Sequence, residues 1–322
     1  MEGLLLRRCE RKEARVKFKL LGLGEVLWDL LPGGRQLGGA PANFTYHASA
    51  LGAEARLISR VGNDDLGREA LDRLVNLGVP TDCVEVDRTL PTGTAGVEVA
   101  ADGQPQFQIH ENVAWDALSG ESASRLAVAT ADAVCFGTLA QRSEPSRSTL
   151  LSLVAAAPPK ALRIFDVNLR QHYFSSHIIN QSLALADVLK LNETELPHLA
   201  DLFDLSGDER SQIRQLAERN HLRVVAYTRG GRGSLLYSEG RWSEHPGFPT
   251  QIADTVGAGD SFTAALALGL LAGWPLGETH QRASEVAAYV CSQFGATPRL
   301  PEHLRAPFVA LQSSEPNGQS SR

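Results

Sequence analysis

The 322-residue chain lacks several common signatures, and each absence removes a class of protein. It has no Gly-x-x-x-x-Gly-Lys-[Ser/Thr] run, which excludes the P-loop cradle as a template. No apolar run reaches membrane-spanning length. The opening Met1-Glu-Gly-Leu-Leu-Leu-Arg-Arg-Cys is too short in apolar residues for a signal peptide, and its charges follow that stretch. Four widely spaced cysteines (Cys9, Cys83, Cys135, Cys291) form no Cys-x-x-Cys pair, so free thiols in a reducing, cytoplasmic setting are expected. A basic excess is also missing. Lys and Arg number 31 against 37 Asp and Glu, for a net charge of −6, which weighs against a nucleic-acid partner. No Lys or Arg occurs between Thr89 and Gly120, and no internal repeat is evident.

A hydrophobic content of 43% is enough for a sizeable core, in one large α/β domain or two small ones. The charged, aperiodic residues 1–17 read as a flexible extension. The Ser- and Gln-rich residues 312–322 read as a disordered tail. Between them, short apolar runs alternate with helical patterns. Strands are expected at 18–23, 55–61, 133–136, 163–167, 188–191 and 223–227. Helices are expected at 41–51, 66–77, 145–156, 193–199, 209–220, 259–272 and 278–294. Such alternation predicts a parallel sheet covered on both faces. From Asp82 to Glu111 the pattern changes to strict alternation, with an Asp102-Gly103 turn, which predicts a hairpin inserted as a lid or a dimer contact.

The run Asp254-Thr-Val-Gly-Ala-Gly-Asp260-Ser-Phe precedes an apolar helix. Glycines on either side of Ala258 permit a tight turn whose N–H groups converge at the positive end of that helix. Such a pocket suits a phosphoryl group. An anion binder would not place Asp260 at its lip, whereas a base accepting a proton from an attacking hydroxyl would. The local chemistry reads as phosphoryl transfer to an alcohol. Gly38-Gly39-Ala-Pro-Ala-Asn43 opens another helix, where Gly39 lets a ligand approach the backbone and Asn43 offers both a donor and an acceptor. Asp29 follows the first strand, where ligands bind in open α/β sheets. Asp166-Val-Asn168-Leu-Arg170 and Lys190-Leu-Asn192-Glu193-Thr194-Glu195 follow later strands. Asn192 and Glu195 either face one ligand or form a helix-capping pair. Thr228-Arg-Gly230-Gly231-Arg-Gly233 either admits a nucleotide or turns into the next strand.

The Gly38–Asn43 and Asp254–Asp260 motifs, with the Asn192…Glu195 and Thr228…Gly233 elements between them, closely resemble the PfkB, or ribokinase-like, carbohydrate kinases over roughly residues 18–302. The resemblance implies a three-layer α/β/α sandwich with a mostly parallel central sheet. The kinase domain would span 18–311, with a small β-sheet lid from about 26–37 and 82–116. It also implies ATP-dependent phosphorylation of a sugar hydroxymethyl group. Asp260 would be the base, and Gly257, Ala258 and Gly259 the anion hole. Asp29, Gly39, Asn43, Asn168 and Arg170 would hold the sugar. Asn192 and Glu195 would organise the phosphates and Mg²⁺, Glu195 through water. Lys190, Thr228, Gly230, Gly233, Ala288 and Cys291 would line the nucleotide site. Asp254, the Val256 carbonyl and carbonyls around Gln293–Ala296 mark a K⁺ site.

The Asp166–Arg170 segment is similar to those of fructokinases and 2-keto-3-deoxygluconate kinases. The absence of cations from 89 to 120 disfavours a sugar that already carries a phosphate. His110 and Trp115 either shape the sugar pocket or pack a lid edge. A fructokinase-like enzyme acting on a free sugar is expected. A 2-keto-3-deoxygluconate kinase comes next, then a ribose or nucleoside kinase or a catalytically silent sugar-binding protein. No nucleic-acid or membrane partner is expected, and the lid offers a homodimer contact.

Overall fold

The computed structural model describes residues 17–31, 33–99 and 105–311. The Asp102-Gly103 turn, the tail and nearly all of the N-terminal extension lie outside the described residues. The strands are β1 (Lys19–Leu23), β2 (Leu27–Leu31), β3 (Gly34–Gly38), β4 (Glu54–Gly62), β5 (Val84–Asp87), β6 (Gly93–Val99), β7 (Pro105–Ile109), β8 (Ala133–Phe136), β9 (Leu162–Asp166), β10 (Val188–Asn192), β11 (Val224–Thr228), β12 (Ser234–Ser238) and β13 (Arg241–His245). The helices are α1 (Ala40–Ala50), α2 (Asp65–Asn76), α3 (Ser122–Val128), α4 (Glu144–Ala156), α5 (Ser176–Leu183), α6 (Glu195–Leu202), α7 (Glu209–Arg219), α8 (Ala258–Leu271), α9 (Leu276–Cys291) and α10 (Glu302–Leu311).

Nine strands form the central sheet in the order β13-β12-β11-β10-β9-β8-β1-β4-β5. Pairing is parallel from β5 through β11, and β12 and β13 add an antiparallel edge. Because strand side chains alternate, each strand feeds two cores. Leu21, Leu23, Val134 and Phe136 point to one face, where they join Leu150 of α4, Leu199 of α6 and Leu216 of α7. Leu20, Ala133 and Cys135 point to the other, where they meet Phe44 of α1, Phe262 of α8 and Val290 of α9. The fold is the expected ribokinase-like sandwich. Its parallel strands are apolar on both faces, so their runs stood out in the sequence.

A second sheet of four strands, β3-β2-β6-β7, stands apart from the first. β6 and β7 are the expected hairpin, and β2 pairs with β6 in parallel. The expected 82–116 boundary needs correction, because β5 belongs to the central sheet, where it pairs with β4. After β7 the chain enters a 3-10 turn at Ala114–Ala117. Trp115 there is fully buried, which favours the packing reading over a pocket wall.

The order in which strands are added reverses at β1. After β1 and α1 the chain continues to β4 on one side, and later strands stack from β8 on the other. Ligands bind outside the carboxyl ends of strands at such a switch point. α1 is seated there by Gly22, where an added Cβ would lie 2.4 Å from both the Pro41 carbonyl oxygen and the Thr45 hydroxyl. Gly22→Ala is expected to destabilise the fold by about 1–3 kcal/mol through overpacking, read from the denaturant midpoint. An unchanged midpoint would mean that α1 moves off β1 without cost.

Candidate active site

Two helix N-termini meet at the switch point. α1 begins after Gly39, whose φ of 109° suits glycine, and whose Cβ, if present, would lie 2.5 Å from the Glu25 carbonyl oxygen. α8 begins after Gly257, in the left-handed region at φ 79°, where a Cβ would lie 2.4 Å from the Ala296 carbonyl oxygen. The first intrahelical bond of α8 runs from the Ser261 amide to the Gly257 carbonyl at 2.9 Å. The amides of Gly259 and Asp260 precede it and have no intrahelical acceptor. They sit at the positive end of a helix whose first turn includes Asp260.

Asn43 Nδ2 donates to Asp260 Oδ2 at 2.9 Å, joining the two helix starts. Behind Asp260 a small cavity is lined by Ala40, Pro41, Cys135, Gly137 and Asp166. Lys190 Nζ donates to Asp166 Oδ1 at 3.0 Å, and both side chains are 7% exposed. Thr263, one turn beyond Gly259, donates to Asp166 Oδ2 at 3.2 Å. A Cβ on Gly259 would lie 3.0 Å from Lys190 Nζ, so the ammonium lies against the bare backbone of the α8 turn. Burial raises the Asp260 pKa and the Asp166 carboxylate adds to the rise, against Lys190, Asn43 and Arg170. The result is a pKa of about 6, up from 3.8. For Lys190, burial opposes the charge, but the carboxylates of Asp166, Glu195 and Asp260 outweigh it and hold its pKa above the ordinary value.

Asn192 and Glu195 form the reciprocal pair of a capping box. Asn192 Oδ1 accepts from the Glu195 amide at 3.0 Å, and Glu195 Oε2 accepts from the Asn192 amide at 2.8 Å. Glu195 Oε1 accepts from the Leu169 amide at 3.1 Å, binding the start of α6 to the loop after β9. Burial raises the Glu195 pKa, with Lys190 opposing. In the loop after β9, Asn168 occupies the left-handed region at φ 43°, and Arg170 beyond it is exposed. Arg170 acts electrostatically on Glu25, Asp29 and Asp260 alike. Burial raises the Asp29 pKa against that influence.

Thr228 lies beside Asn192 in the sheet, and its carbonyl accepts from the Glu193 amide at 2.9 Å. Gly230 is exposed, and Gly233, at φ 80°, could not carry a Cβ, which would lie 1.9 Å from the His245 carbonyl oxygen. That glycine is demanded by the turn into β12. Ala288 and Cys291 lie half-buried, three residues apart on α9. The Cys291 carbonyl accepts from the amides of Ala253 and Asp254. Asp254 in turn accepts from the amides of Val256 at 3.0 Å and Gly295 at 3.1 Å, tying residues 254–256 to 291–296. Among the described residues no group of three or more His, Cys, Asp or Glu is arranged to hold a metal ion. No helix among them is long and apolar enough to cross a membrane.

Three side chains at the site went unassigned in the sequence reading. Asp166 appeared only as part of its segment, and Thr263 looked like ordinary apolar-helix filling. Glu25, 2% exposed, follows Gly24 at the end of β1. Its position at a strand's carboxyl end was the available signal.

A doubly wound sheet with a glycine turn, a helix N-terminus and a carboxylate at its switch point belongs to enzymes that handle phosphoryl groups. Comparison with known proteins narrows the class. Residues 33–303 match the model of the pfkB family carbohydrate kinases. The sugar kinase PH1459 of Pyrococcus horikoshii is 31% identical over 278 residues, 83% of this chain and 85% of that protein. A fructokinase of Klebsiella pneumoniae is 32% identical over 266 residues, 79% of this chain and 85% of that one. The crystal structure of PH1459 in complex with ATP has a TM-score of 0.75 and 28% identity, over 90% of this chain and 99% of that one. The chain belongs to the pfkB family and is a carbohydrate kinase.

Lys190→Met would leave the Asp166 carboxylate buried without its cation. A loss of about 3–5 kcal/mol in unfolding free energy is expected, measured by denaturation at neutral pH. Stability equal to that of the unaltered protein would mean that Asp166 needs no counter-charge.

Proposed function

We propose that this kinase is fructokinase-like, transferring the γ-phosphoryl group of ATP to a hydroxymethyl oxygen of a free sugar. The observation that carries the reading is Asp260. It is a carboxyl of raised proton affinity, held by Asn43 in the first turn of α8, beside amides that have no helical acceptor. The sugar hydroxyl loses its proton to Asp260 as its oxygen bonds to the γ-phosphorus and the bond to the ADP oxygen breaks. The amides at Gly257–Gly259 receive the negative charge that spreads over the migrating group. Lys190, beside the Gly259 backbone, adds positive charge on the same side. Asp29, Gly39, Asn43 and Asn168 hold the sugar, and Thr228, Gly230, Gly233, Ala288 and Cys291 border the nucleotide.

Both Glu195 oxygens already accept backbone N–H bonds. The residue therefore fits Mg²⁺ through the ion's water shell, with Asn192 alongside. Bound Mg²⁺ would neutralise phosphate charge. Asp254, which joins residues 254–256 to 291–296, and the Val256 carbonyl fit K⁺. The small sheet serves as lid and dimer contact, with Leu30 and Leu31 of β2 exposed at 39% and 40%.

A neutral, unphosphorylated sugar is favoured by the charges around the pocket. Arg142 is brought to residues 110–116, where its Nε and Nη2 are already engaged. Its guanidinium pairs with both oxygens of Asp116 at 2.8 Å and stacks over Trp115. The charge of Arg170 already acts on the carboxyls of Glu25, Asp29 and Asp260, so a substrate anion would compete with them for it. The Klebsiella relative is named as a fructokinase. The second reading, a 2-keto-3-deoxygluconate kinase, rests on the exposure of Arg170.

Asp260→Asn is expected to lower kcat by about 10²–10⁴-fold with little change in ATP affinity. Near-normal turnover would remove its role as base. In the unaltered enzyme, kcat should fall as pH drops below about 6, because the carboxyl must be unprotonated to accept the proton. A panel of free sugars and sugar acids, assayed by ADP release with and without K⁺, identifies the substrate. If Arg170→Ala harms a sugar acid far more than fructose, the assignment moves to the keto-acid kinase.

A further inference from the structure

His47 of α1 has no part in the mechanism above, although it is completely buried. Its Nε2 lies 2.9 Å from the Ala296 carbonyl oxygen. A carbonyl oxygen can only accept, so the ring donates there and carries its proton on Nε2. Nδ1 is then a bare acceptor, buried and without a hydrogen-bond partner. Such a nitrogen is costly, and an apolar side chain in its place would avoid the cost. Burial lowers the His47 pKa to about 4, against the Ala296 bond. At neutral pH the ring is therefore uncharged and acts as a hydrogen-bond donor.

The carbonyl that it holds belongs to the segment on which the α8 turn rests. A Cβ added to Gly257 would lie 2.4 Å from the Ala296 oxygen, 2.8 Å from its Cα and 3.0 Å from its carbonyl carbon. The Ala296 peptide thus lies against the bare Cα of Gly257. Asn43 and His47 are four residues apart, on one face of α1. That face holds both ends of the first turn of α8: Asp260 directly through Asn43, and Gly257 through the peptide bonded to His47. Tyr46 also grips this segment, its hydroxyl donating to the Pro298 carbonyl at 2.8 Å, two residues beyond the Gly257 contact.

We propose that His47 is a positioning residue for phosphoryl transfer: its Nε2–H holds the Ala296 carbonyl against Gly257 and so fixes the turn whose amides receive the migrating group. The inference rests on the reading of Gly257–Gly259 as that turn. Without the donor, the Ala296 peptide is free to shift, and the left-handed Gly257 with it. The amides then lose their aim, while Asp29, Gly39, Asn43 and Asn168 keep the sugar. The defect belongs to the chemical step, where small misplacements are expensive, and not to sugar binding.

The test compares three variants at a temperature where denaturation shows each to be folded. His47→Leu removes the donor and should lower kcat about 10–10²-fold, with sugar KM near that of the unaltered enzyme. His47→Gln places an amide N–H where Nε2 stood and should restore most of the lost rate. Tyr46→Phe removes the neighbouring bond to Pro298 and should leave kcat unchanged. A second measurement uses the unaltered enzyme and stands if His47→Leu does not fold. Its histidine ring ¹⁵N spectrum, with His47 assigned from the signals missing in His47→Gln, should show a neutral ring protonated on Nε2 from pH 6 to 8. Unaltered kcat in folded His47→Leu, no recovery with Gln, an equal loss in Tyr46→Phe, or a proton on Nδ1 would overturn the proposal. Those outcomes leave the reading of the site intact, whereas normal turnover by Asp260→Asn would sink that reading instead.

Discussion

The hydrogen bond between Asn43 and Asp260 crosses 217 residues of sequence and fixes two helix N-termini against one another. It exists because α1 and α8 pack side by side on the same face of the sheet, over Leu20, Ala133 and Cys135. Neither helix end could build the site alone. α8 brings free amides and a carboxyl, and α1 brings the amide group that orients the carboxyl. The glycines that start the two helices, at 39 and 257, let the backbones come this close.

Burial shapes the chemistry through charge. Asp166 and Lys190 are buried and Asp260 is half-buried beside them, so their mutual fields are stronger than in open water. Asp166 is held by an ammonium and by the Thr263 hydroxyl, whereas no cation among the described residues forms an ion pair with Asp260. That difference leaves Asp260 able to take up a proton near neutrality. The same logic works in reverse at residues 110–116, where Arg142 pairs with Asp116 between two aromatic rings.

Several readings that the sequence left open were decided by contacts. Asn192 and Glu195 do form the capping pair, and Gly233 is required by the turn into β12. Such residues can serve both structure and ligand, because a helix cap leaves lone pairs and a turn leaves backbone exposed. Trp115 went to the core, since its ring fills the space beside Gly93. β5 had been grouped with the hairpin, because a four-residue strand pairing at a sheet edge has no periodicity of its own. β12, β13, α3, α5 and α10 were likewise too short or too mixed in pattern to announce themselves.

Local order was written in the sequence itself: the apolar runs of the parallel strands, the glycines before α1 and α8, and the motifs that mark this kinase family. These features depend on neighbours within a few residues, so spacing and residue type reveal them. Only the tertiary structure joined Asn43 to Asp260, laid Lys190 against Gly259 and buried Arg142 between Trp115 and Tyr173. Those relations arise from strands and loops far apart along the chain, and a side chain's charge state depends on what the fold places around it.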